Sequence, residues 1–234
     1  MVRVPTPGDD GLDDRVPFLA RLEETERDAL LTLGREMRFA PRAELLREYE
    51  PSSHILLVLN GWTKVTATAP NGYVMLLALR GPGDIIGESA ALTGRPRSAT
   101  VTALEPVRAA VIDHDGFQKY LADWPEAMLK LLGLTSDRSR AGDRRRLEFA
   151  SLTVRERLAA LLLELARTHG RPVPAGIELA VPLSKMELAG SVGASREMVQ
   201  RLLKELRERE VIVTGRRTLT ILRPDVLRRV GGSG

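Results

Sequence analysis

The sequence contains no cysteine among its 234 residues. This absence excludes disulfide bonds, cysteine-ligated zinc sites and cysteine-ligated iron–sulfur clusters. The chain also lacks a run of about 18 consecutive apolar residues, so an ordinary transmembrane helix is excluded as well. Its first residues do not form the basic and then apolar pattern of a secretory signal. We therefore expect a cytoplasmic protein without membrane contact.

Signatures of catalysis are missing too. No Walker-type loop is present, and no nucleophile motif has a histidine near it. The histidines, which number only three, have no partners at metal-ligand spacing. The sequence Asp113-His114-Asp115 is better explained as a polar turn between a strand and a helix than as a metal site. We expect neither an enzyme nor a metal-binding protein.

The most informative stretch runs from Val181 to Thr220. Ser184 and Glu187 have the spacing of a capping box and predict the start of a short helix, which Gly193 would end. Ser195 would cap a second helix, whose apolar residues recur at i, i+3, i+4 and i+7 opposite a charged face. That apolar stripe consists of Val199, Leu202, Leu203 and Leu206.

Two short helices joined by a glycine turn form the arrangement of a helix-turn-helix. The sequence VIVTGRRTLTIL then predicts two strands around a basic turn, as in a wing. Lys and Arg outnumber Asp and Glu between Lys185 and Arg229, which suits a phosphate-bearing partner such as double-stranded DNA. A helical hairpin with a solvated charged face is the alternative. The residues expected to contact DNA are Ser195, Arg196, Glu197, Gln200, Arg201, Lys204, Arg216 and Arg217.

The first half of the chain has a different pattern. Short apolar or alternating segments between Arg35 and Ile112 are separated by turn residues, among them the hairpin signals Asn60-Gly61 and Asn71-Gly72. Many short strands at this spacing predict an antiparallel roll or barrel.

Helices are predicted on both sides of this roll. FLARLEETERDALLTLG, which follows Pro17, predicts a first helical segment. A long helix is expected from Pro125, at its N1 position, to about Phe149, and another from Thr153 to about Thr168. Residues 169–176 are expected to be a link. The chain is therefore predicted to be α+β, with a disordered arm (1–16), a β-roll domain (17–124), a long helix (125–152) and a winged helix-turn-helix domain (153–230).

Within the roll, GDIIGESAALTGRPRSATVTAL (83–104) departs from ordinary strand and turn. Gly87 to Ala91 would form one helical turn whose exposed N–H groups favour an anion. Arg97 supplies a planar cation for phosphate oxygens, and its small neighbours allow close approach. Glu88 would accept a hydrogen bond from a sugar hydroxyl. A local salt bridge between Glu88 and Arg97 is the alternative.

The run IGESAALTGRPRSATVTA resembles the phosphate-binding cassette of cyclic-nucleotide-binding domains. The downstream run LSKMELAGSVGASREMVQRLLKEL resembles the helix-turn-helix of the Crp–Fnr family of bacterial regulators. The resemblance spans residues 17–227 and implies a jelly-roll-like antiparallel β-roll, a long dimerisation helix and a C-terminal winged helix-turn-helix. It also implies a homodimeric transcription regulator that is controlled by a cyclic nucleotide and has RNA polymerase as a further partner.

The resemblance assigns roles to individual residues of the cassette. Glu88 is expected to bind the ribose 2′-hydroxyl, and Arg97 with Ser98 the cyclic phosphate. The full set of expected ligand-binding residues is Gly87, Glu88, Ser89, Arg97, Ser98, Ala99 and Asp143.

In the second helix of the helix-turn-helix, the resemblance places Arg196, Glu197 and Arg201 at the base-reading positions. The family preference for such a trio is a palindrome with TGTGA-like half-sites. The chemistry agrees, because arginine forks suit guanine and glutamate accepts from cytosine.

The contact with the purine departs from the family's pattern. Gly142 and Asp143 stand where cyclic-AMP sensors of the family have Thr-Ser. Asp143 would accept from an adenine amine or from guanine N–H groups, which leaves both bases open. The resemblance favours cyclic AMP as the effector, with cyclic GMP as the second candidate. Arg140-Ala141-Gly142-Asp143 also fits the Arg-x-x-Asp pattern of some cyclic-di-GMP sites. The alternative function is a nucleotide-binding regulatory module that acts through a protein partner.

Overall fold

The computed structural model describes residues 16–179, 183–215 and 218–231. The chain divides into two compact units at the boundary between Ala141 and Gly142. We call their described parts the β-roll unit (16–141) and the winged-helix unit (142–179, 183–215 and 218–231). The predicted arm lies outside the described residues except for Val16, and so do Arg216 and Arg217 of the predicted wing.

The described part of the β-roll unit has eight strands in two four-stranded antiparallel sheets. The strand order is β1-β8-β3-β6 in one sheet and β2-β7-β4-β5 in the other. The strands are β1 (Arg35–Phe39), β2 (Glu44–Leu46), β3 (Ile55–Asn60), β4 (Thr63–Thr68), β5 (Val74–Arg80), β6 (Ile85–Ile86), β7 (Thr100–Ala103) and β8 (Val107–Ile112). The predicted antiparallel roll is thus confirmed.

Local sequence explains the hairpins of this roll. Gly61 and Gly72 have positive φ angles of 85° and 80°, a region that glycine adopts without steric cost. Gly61 joins β3 to β4, and Gly72 lies in the turn between β4 and β5. Strand β6 was not predicted from the sequence, because two residues are too few to show alternation.

Five helices belong wholly or partly to the β-roll unit, counted over its described residues. They are α1 (Phe18–Arg21), α2 (Glu24–Thr32), α3 (Glu88–Thr93), α4 (His114–Asp123) and α5 (Pro125–Ser151). The helical segment predicted after Pro17 is present as two helices, α1 and α2. Leu22 and Glu23 are both extended and separate the two helices, and Glu23 caps α2 in a capping box with Glu26. Asp113 caps α4 by accepting from Gly116 N at 2.7 Å, as expected for a polar turn.

Helix α5 has 27 residues and is about 40 Å long. It extends two residues beyond the predicted end and continues through Gly142. Its first half packs on the core of the β-roll unit through Ala127, Leu131 and Leu134, which are buried. Phe18, Leu30 and other apolar side chains of α1, α2, α4 and the sheets complete this core.

The winged-helix unit contains the end of α5, four further helices and one four-stranded antiparallel sheet within its described residues. The helices are α6 (Val154–His169), α7 (Lys185–Val192), α8 (Arg196–Glu208) and α9 (Pro224–Val230). The strands, in the order β11-β12-β10-β9, are β9 (Gly170–Val173), β10 (Gly176–Leu179), β11 (Ile212–Thr214) and β12 (Leu219–Ile221).

The sequence interpretation of residues 169–176 as a plain link is wrong. They form most of a hairpin, in which Gly176 of β10 pairs with Val173 of β9. The other edge of β10 pairs with β12 of the wing, where Ile177 lies opposite Ile221. The wing strands are therefore part of a larger sheet rather than an isolated hairpin.

No helix in the described part of the chain has the length and apolar content needed to cross a membrane.

Candidate functional sites

The first candidate site is built around Gly87, which lies between β6 and α3 with a φ of 87°. A Cβ at this position would lie 2.5 Å from Arg97 Nη1 and 3.1 Å from the His54 carbonyl oxygen. Only glycine therefore lets the arginine approach this stretch of backbone so closely. The predicted helical turn is present as α3, and the structure brings Gly87 and Arg97 together as the sequence suggested.

Arg97 is buried, with 3% of its surface exposed. Its Nε donates to Ser52 Oγ at 2.9 Å, Nη1 to the Gly87 carbonyl at 2.9 Å and Nη2 to the His54 carbonyl at 2.6 Å. A guanidinium has five N–H groups, so two have no partner among the described residues. Burial lowers the pKa of Arg97, while Glu50 and Glu88 act in the opposite direction.

No carboxylate in the described part of the chain lies within ion-pair distance of this arginine. The three acceptors of Arg97 are a hydroxyl and two carbonyls, none of which carries a charge. Arginine remains protonated under ordinary conditions, and a buried charge without a counter-ion is costly. The arrangement is chemically suited to accept an anion with at least two oxygen acceptors.

Glu88 does not pair with Arg97, so the local salt bridge considered as an alternative is wrong. Its Oε1 accepts instead from Arg138 Nη1 at 2.6 Å, and both side chains are largely buried. Arg138 lies on α5 and also donates to the Ile85 carbonyl at 3.1 Å. The Nε of Arg138 is buried and has no partner among the described residues. A second arginine with an unused donor therefore stands beside Glu88.

The sequence interpretation did not single out Arg138, although a signal existed. Leu131, Leu134 and Arg138 follow one another at i, i+3 and i+7, which places Arg138 on the buried face of α5. The polar run around it hides this periodicity, because serine, aspartate and arginine alternate there without an apolar residue.

The other residues expected to bind the ligand are Ser89, Ser98, Ala99 and Asp143. Ser89 and Ser98 are exposed, whereas Ala99, which follows Ser98 and immediately precedes β7, is buried. Asp143 belongs to the winged-helix unit, where it is exposed and its Oδ1 accepts from Arg146 Nη1 at 2.6 Å. Two neighbouring arginines of that helix also lie near carboxylates, Arg144 at 4.0 Å from Glu148 and Arg145 at 3.2 Å from Glu164.

The second candidate site is the pair of helices α7 and α8. Ser184 Oγ accepts from Glu187 N at 3.2 Å and Glu187 Oε2 accepts from Ser184 N at 2.7 Å, which is the predicted capping box. Helix α7 ends at Gly193, whose φ is 64°. Ser195 Oγ then accepts from Met198 N at 3.2 Å and caps α8. The predicted helix-turn-helix is confirmed.

Helix α8 has one buried and one exposed face. The predicted apolar stripe is buried, with Val199 at 0% and Leu203 at 2% exposure. The residues expected to contact DNA on the opposite face are all exposed, namely Ser195, Arg196, Glu197, Gln200, Arg201 and Lys204. Helix α8 therefore presents hydrogen-bond donors and acceptors on a surface of the shape that fits a major groove.

Local contacts set the electrostatics of this exposed face. The backbone N–H of Glu197 and the Ser195 hydroxyl lower the pKa of the Glu197 carboxyl. It therefore stays ionised as a hydrogen-bond acceptor near neutral pH. Arg201 Nη2 donates to Met198 Sδ at 2.9 Å, and Lys204 Nζ lies 3.6 Å from Glu208 Oε1. These partners are weak or exposed, so both cations remain available to a phosphate or a base.

We expect Gly193→Ala to destabilise the winged-helix unit. Alanine at this φ costs about 1–2 kcal/mol, and its Cβ would lie 2.6 Å from Cε1 of Phe149. Gly94→Ala is the matched control, because Gly94 has a φ of 67° and nothing within 4 Å of the added Cβ. Denaturant unfolding should show a larger loss for Gly193→Ala than for Gly94→Ala. Equal losses would mean that the contact with Phe149 is unimportant.

Comparison with known proteins follows the same division of the chain. Residues 36–123 match the family described as cyclic nucleotide-binding domain, and residues 156–230 match the Crp-like helix-turn-helix domain. The CRP-like cAMP-activated global transcriptional regulator of Mycobacterium tuberculosis is 29% identical over 201 residues, covering 85% of this chain and 90% of the relative. The global nitrogen regulator of Synechococcus elongatus is 27% identical over 212 residues, covering 86% and 96%.

Solved structures with the same fold include a CRP-family transcriptional regulator of Thermus thermophilus, with a TM-score of 0.71 and 25% identity. It covers 84% of this chain and 96% of its own. A CooA mutant of Carboxydothermus hydrogenoformans has a TM-score of 0.75 and 24% identity, covering 94% and 95%. The second likeness concerns the fold alone.

Proposed function

Since this chain belongs to the Crp–Fnr family of DNA-binding transcriptional regulators, we propose that it is a homodimer in which a cyclic nucleotide bound to the β-roll unit controls binding to a palindromic DNA site. The chain acts in this proposal by binding and not by catalysis. RNA polymerase is its further partner at the promoter.

The observation that carries nucleotide binding is the buried and unpaired charge of Arg97. A cyclic phosphate supplies the missing negative charge and oxygen acceptors for the two unused N–H groups. Ser98 and the Ala99 amide are proposed to assist. Glu88 uses only Oε1 for Arg138, so Oε2 remains to accept from the ribose 2′-hydroxyl.

Cyclic AMP is the proposed effector. It is supported by the similarity to a relative that is described as cAMP-activated. Asp143, in place of a hydroxyl pair, is proposed to accept from the adenine amine after giving up its exposed pair with Arg146. Cyclic GMP and cyclic-di-GMP are the competing effectors, the latter through Arg140 and Asp143.

The DNA-binding half of the proposal rests on the exposed face of α8. Arg196 and Arg201 donate to guanines and Glu197 accepts from cytosine, which suits a TGTGA-like half-site. Gln200, Lys204, Ser195 and the wing arginines 216 and 217 are proposed to contact the phosphate backbone or neighbouring bases. In a homodimer the two copies of α8 would enter successive major grooves about 34 Å apart.

Dimerisation is proposed to use α5. Large apolar side chains are exposed along this helix, at 59% for Leu129, 63% for Leu132 and 70% for Leu147. A monomer rarely leaves several large apolar residues of one helix in water, because their burial is worth about 1.5–3 kcal/mol each. A second copy of the same helix would cover them.

Calorimetric titration of the full chain tests nucleotide control. We expect cyclic AMP to bind more tightly than cyclic GMP or cyclic-di-GMP, with one molecule per protomer. Saturating cyclic AMP should change the affinity for a TGTGA-type palindrome by roughly 5–150-fold, the usual range of coupling between two sites. Footprints on promoter DNA that none of the three nucleotides alters would refute the proposal, whereas tighter binding of cyclic-di-GMP would replace only the effector.

A further inference from the structure

Arg157 lies in the first turn of α6, half-buried, and its guanidinium reaches three backbone carbonyls of the winged-helix unit. Its Nε donates to the Val192 carbonyl at 2.9 Å. Its Nη1 donates to the carbonyls of Phe149 at 3.2 Å and Leu152 at 2.8 Å. One side chain therefore joins the end of α5, the connection to α6 and the end of α7.

These acceptors are not arbitrary backbone groups. Val192 is the last residue of α7, and Phe149 is in the last turn of α5. The final carbonyls of a helix have no partner within the helix and carry its partial negative charge. A cation at the meeting point of two such ends satisfies both, and the planar fork of arginine reaches them in different directions, which the single ammonium group of lysine cannot do.

A second contact joins Arg157 of α6 to the end of α5. The Arg157 guanidinium lies over the ring of Phe149, 4.8 Å from its centroid. One edge of that ring packs on Gly193, where an added Cβ would lie 2.6 Å from Cε1. Phe149 is thus held between Arg157 and the turn of the helix-turn-helix, so a rotation at the end of α5 displaces the turn directly.

We propose that Arg157 is a positioning residue that fixes the α7–α8 pair to the end of α5, so that movement of this helix end is transmitted to the DNA-reading surface. This inference rests on the proposed function, since it assigns a route by which nucleotide binding changes DNA binding. Arg157 itself does not contact DNA or nucleotide in this scheme. It acts through the turn at Gly193.

The test uses the full chain carrying Arg157→Gln, which removes the charge and the fork, and Arg157→Lys, which keeps only the charge. Arg155→Gln is the matched control, because Arg155 lies in the same turn of α6 and pairs with Glu205 at 2.5 Å instead of with the helix ends. For each chain, the affinity for a palindromic DNA duplex is measured without nucleotide and with saturating cyclic AMP.

We expect the factor by which cyclic AMP changes DNA affinity to fall to within about twofold of one in both Arg157 variants, from the roughly 5–150-fold typical of coupled sites. The control should keep the wild-type factor. The affinity for cyclic AMP alone should stay within about threefold of wild type. A variant that loses DNA affinity equally with and without nucleotide, at an unchanged factor, would overturn the proposal and leave Arg157 a purely structural residue.

Hydrogen exchange provides a readout that does not depend on any nucleotide. The amides of Gly193 and Ala194, which donate to the Ala189 carbonyl, should exchange at least about 10-fold faster in Arg157→Gln than in Arg155→Gln. Unchanged protection of these amides would overturn the proposed positioning role even if the wild-type chain responds to cyclic AMP. Faster exchange in a chain that responds to no nucleotide would support that role and refute only the proposed effector control.

Discussion

A chain that carries both Arg196→Ala and Arg201→Ala is expected to lose sequence-specific DNA binding by roughly 1000-fold or more. Each arginine fork on a guanine is worth about 1–3 kcal/mol of discrimination, so the pair contributes about 4 kcal/mol per protomer. Both side chains are exposed and lie outside the core, and the buried stripe of α8 is untouched. Unfolding of the winged-helix unit should therefore be unchanged, while electrophoretic or fluorescence titration of a TGTGA-type duplex shows the loss.

The matched control is Arg228→Ala with Arg229→Ala, which removes the same charge from exposed positions of α9. Loss of two cations by itself weakens binding to every DNA sequence and reduces the dependence on salt. Specific reading by α8 predicts that the first double variant, and not the control, abolishes the preference for the palindrome over random DNA. If promoter binding survives intact in the first variant, the chain instead acts through a protein partner.

Local patterns of the sequence were sufficient to predict helices α7 and α8. A capping box joins residues only three positions apart, as Ser184 and Glu187 are, and an amphipathic stripe is set by helix geometry. Such features form from short-range contacts whatever the rest of the chain does. This is why the prediction of α7, the turn at Gly193 and α8 agrees with the structure almost residue by residue.

The hydrogen-bond partners of Arg97 and Glu88 could not be predicted from the sequence, because the packing of elements that are distant in the chain determines them. Arg97 reaches Ser52 and His54, more than 40 positions away, and Glu88 reaches Arg138, 50 positions away. Because Glu88 and Arg97 are close in the chain, their spacing allowed a local salt bridge as an alternative and gave no sign of Arg138. The hairpin of β9 and β10 was missed for a similar reason: its short strands are stabilised by pairing with β12 rather than by their own alternation.

The largest expected effect in the β-roll unit is that of Arg97→Gln on nucleotide binding. The proposed phosphate contact uses two N–H groups of a buried cation, and charge-assisted hydrogen bonds contribute about 1.5–3 kcal/mol each. We expect at least a roughly 100-fold weaker Kd for cyclic AMP by calorimetry. Arg95→Gln is the matched control, because Arg95 is exposed in the same loop and should leave the Kd unchanged.

The stability of the same variant distinguishes a ligand contact from a structural one. Arg97→Gln loses hydrogen bonds to Ser52, Gly87 and His54, at about 1 kcal/mol each, but it also removes a buried charge that has no counter-ion in the described part of the chain. These effects oppose each other, so the free energy of unfolding without ligand should fall by no more than about 2 kcal/mol. Cyclic AMP at about 100 times its wild-type Kd should stabilise the wild-type chain by about 2.7 kcal/mol and the variant by much less than that. A variant that unfolds far more easily yet keeps the full stabilisation by cyclic AMP would show that Arg97 holds the roll together and that the phosphate binds elsewhere, with the unused Nε of Arg138 as the next donor to test.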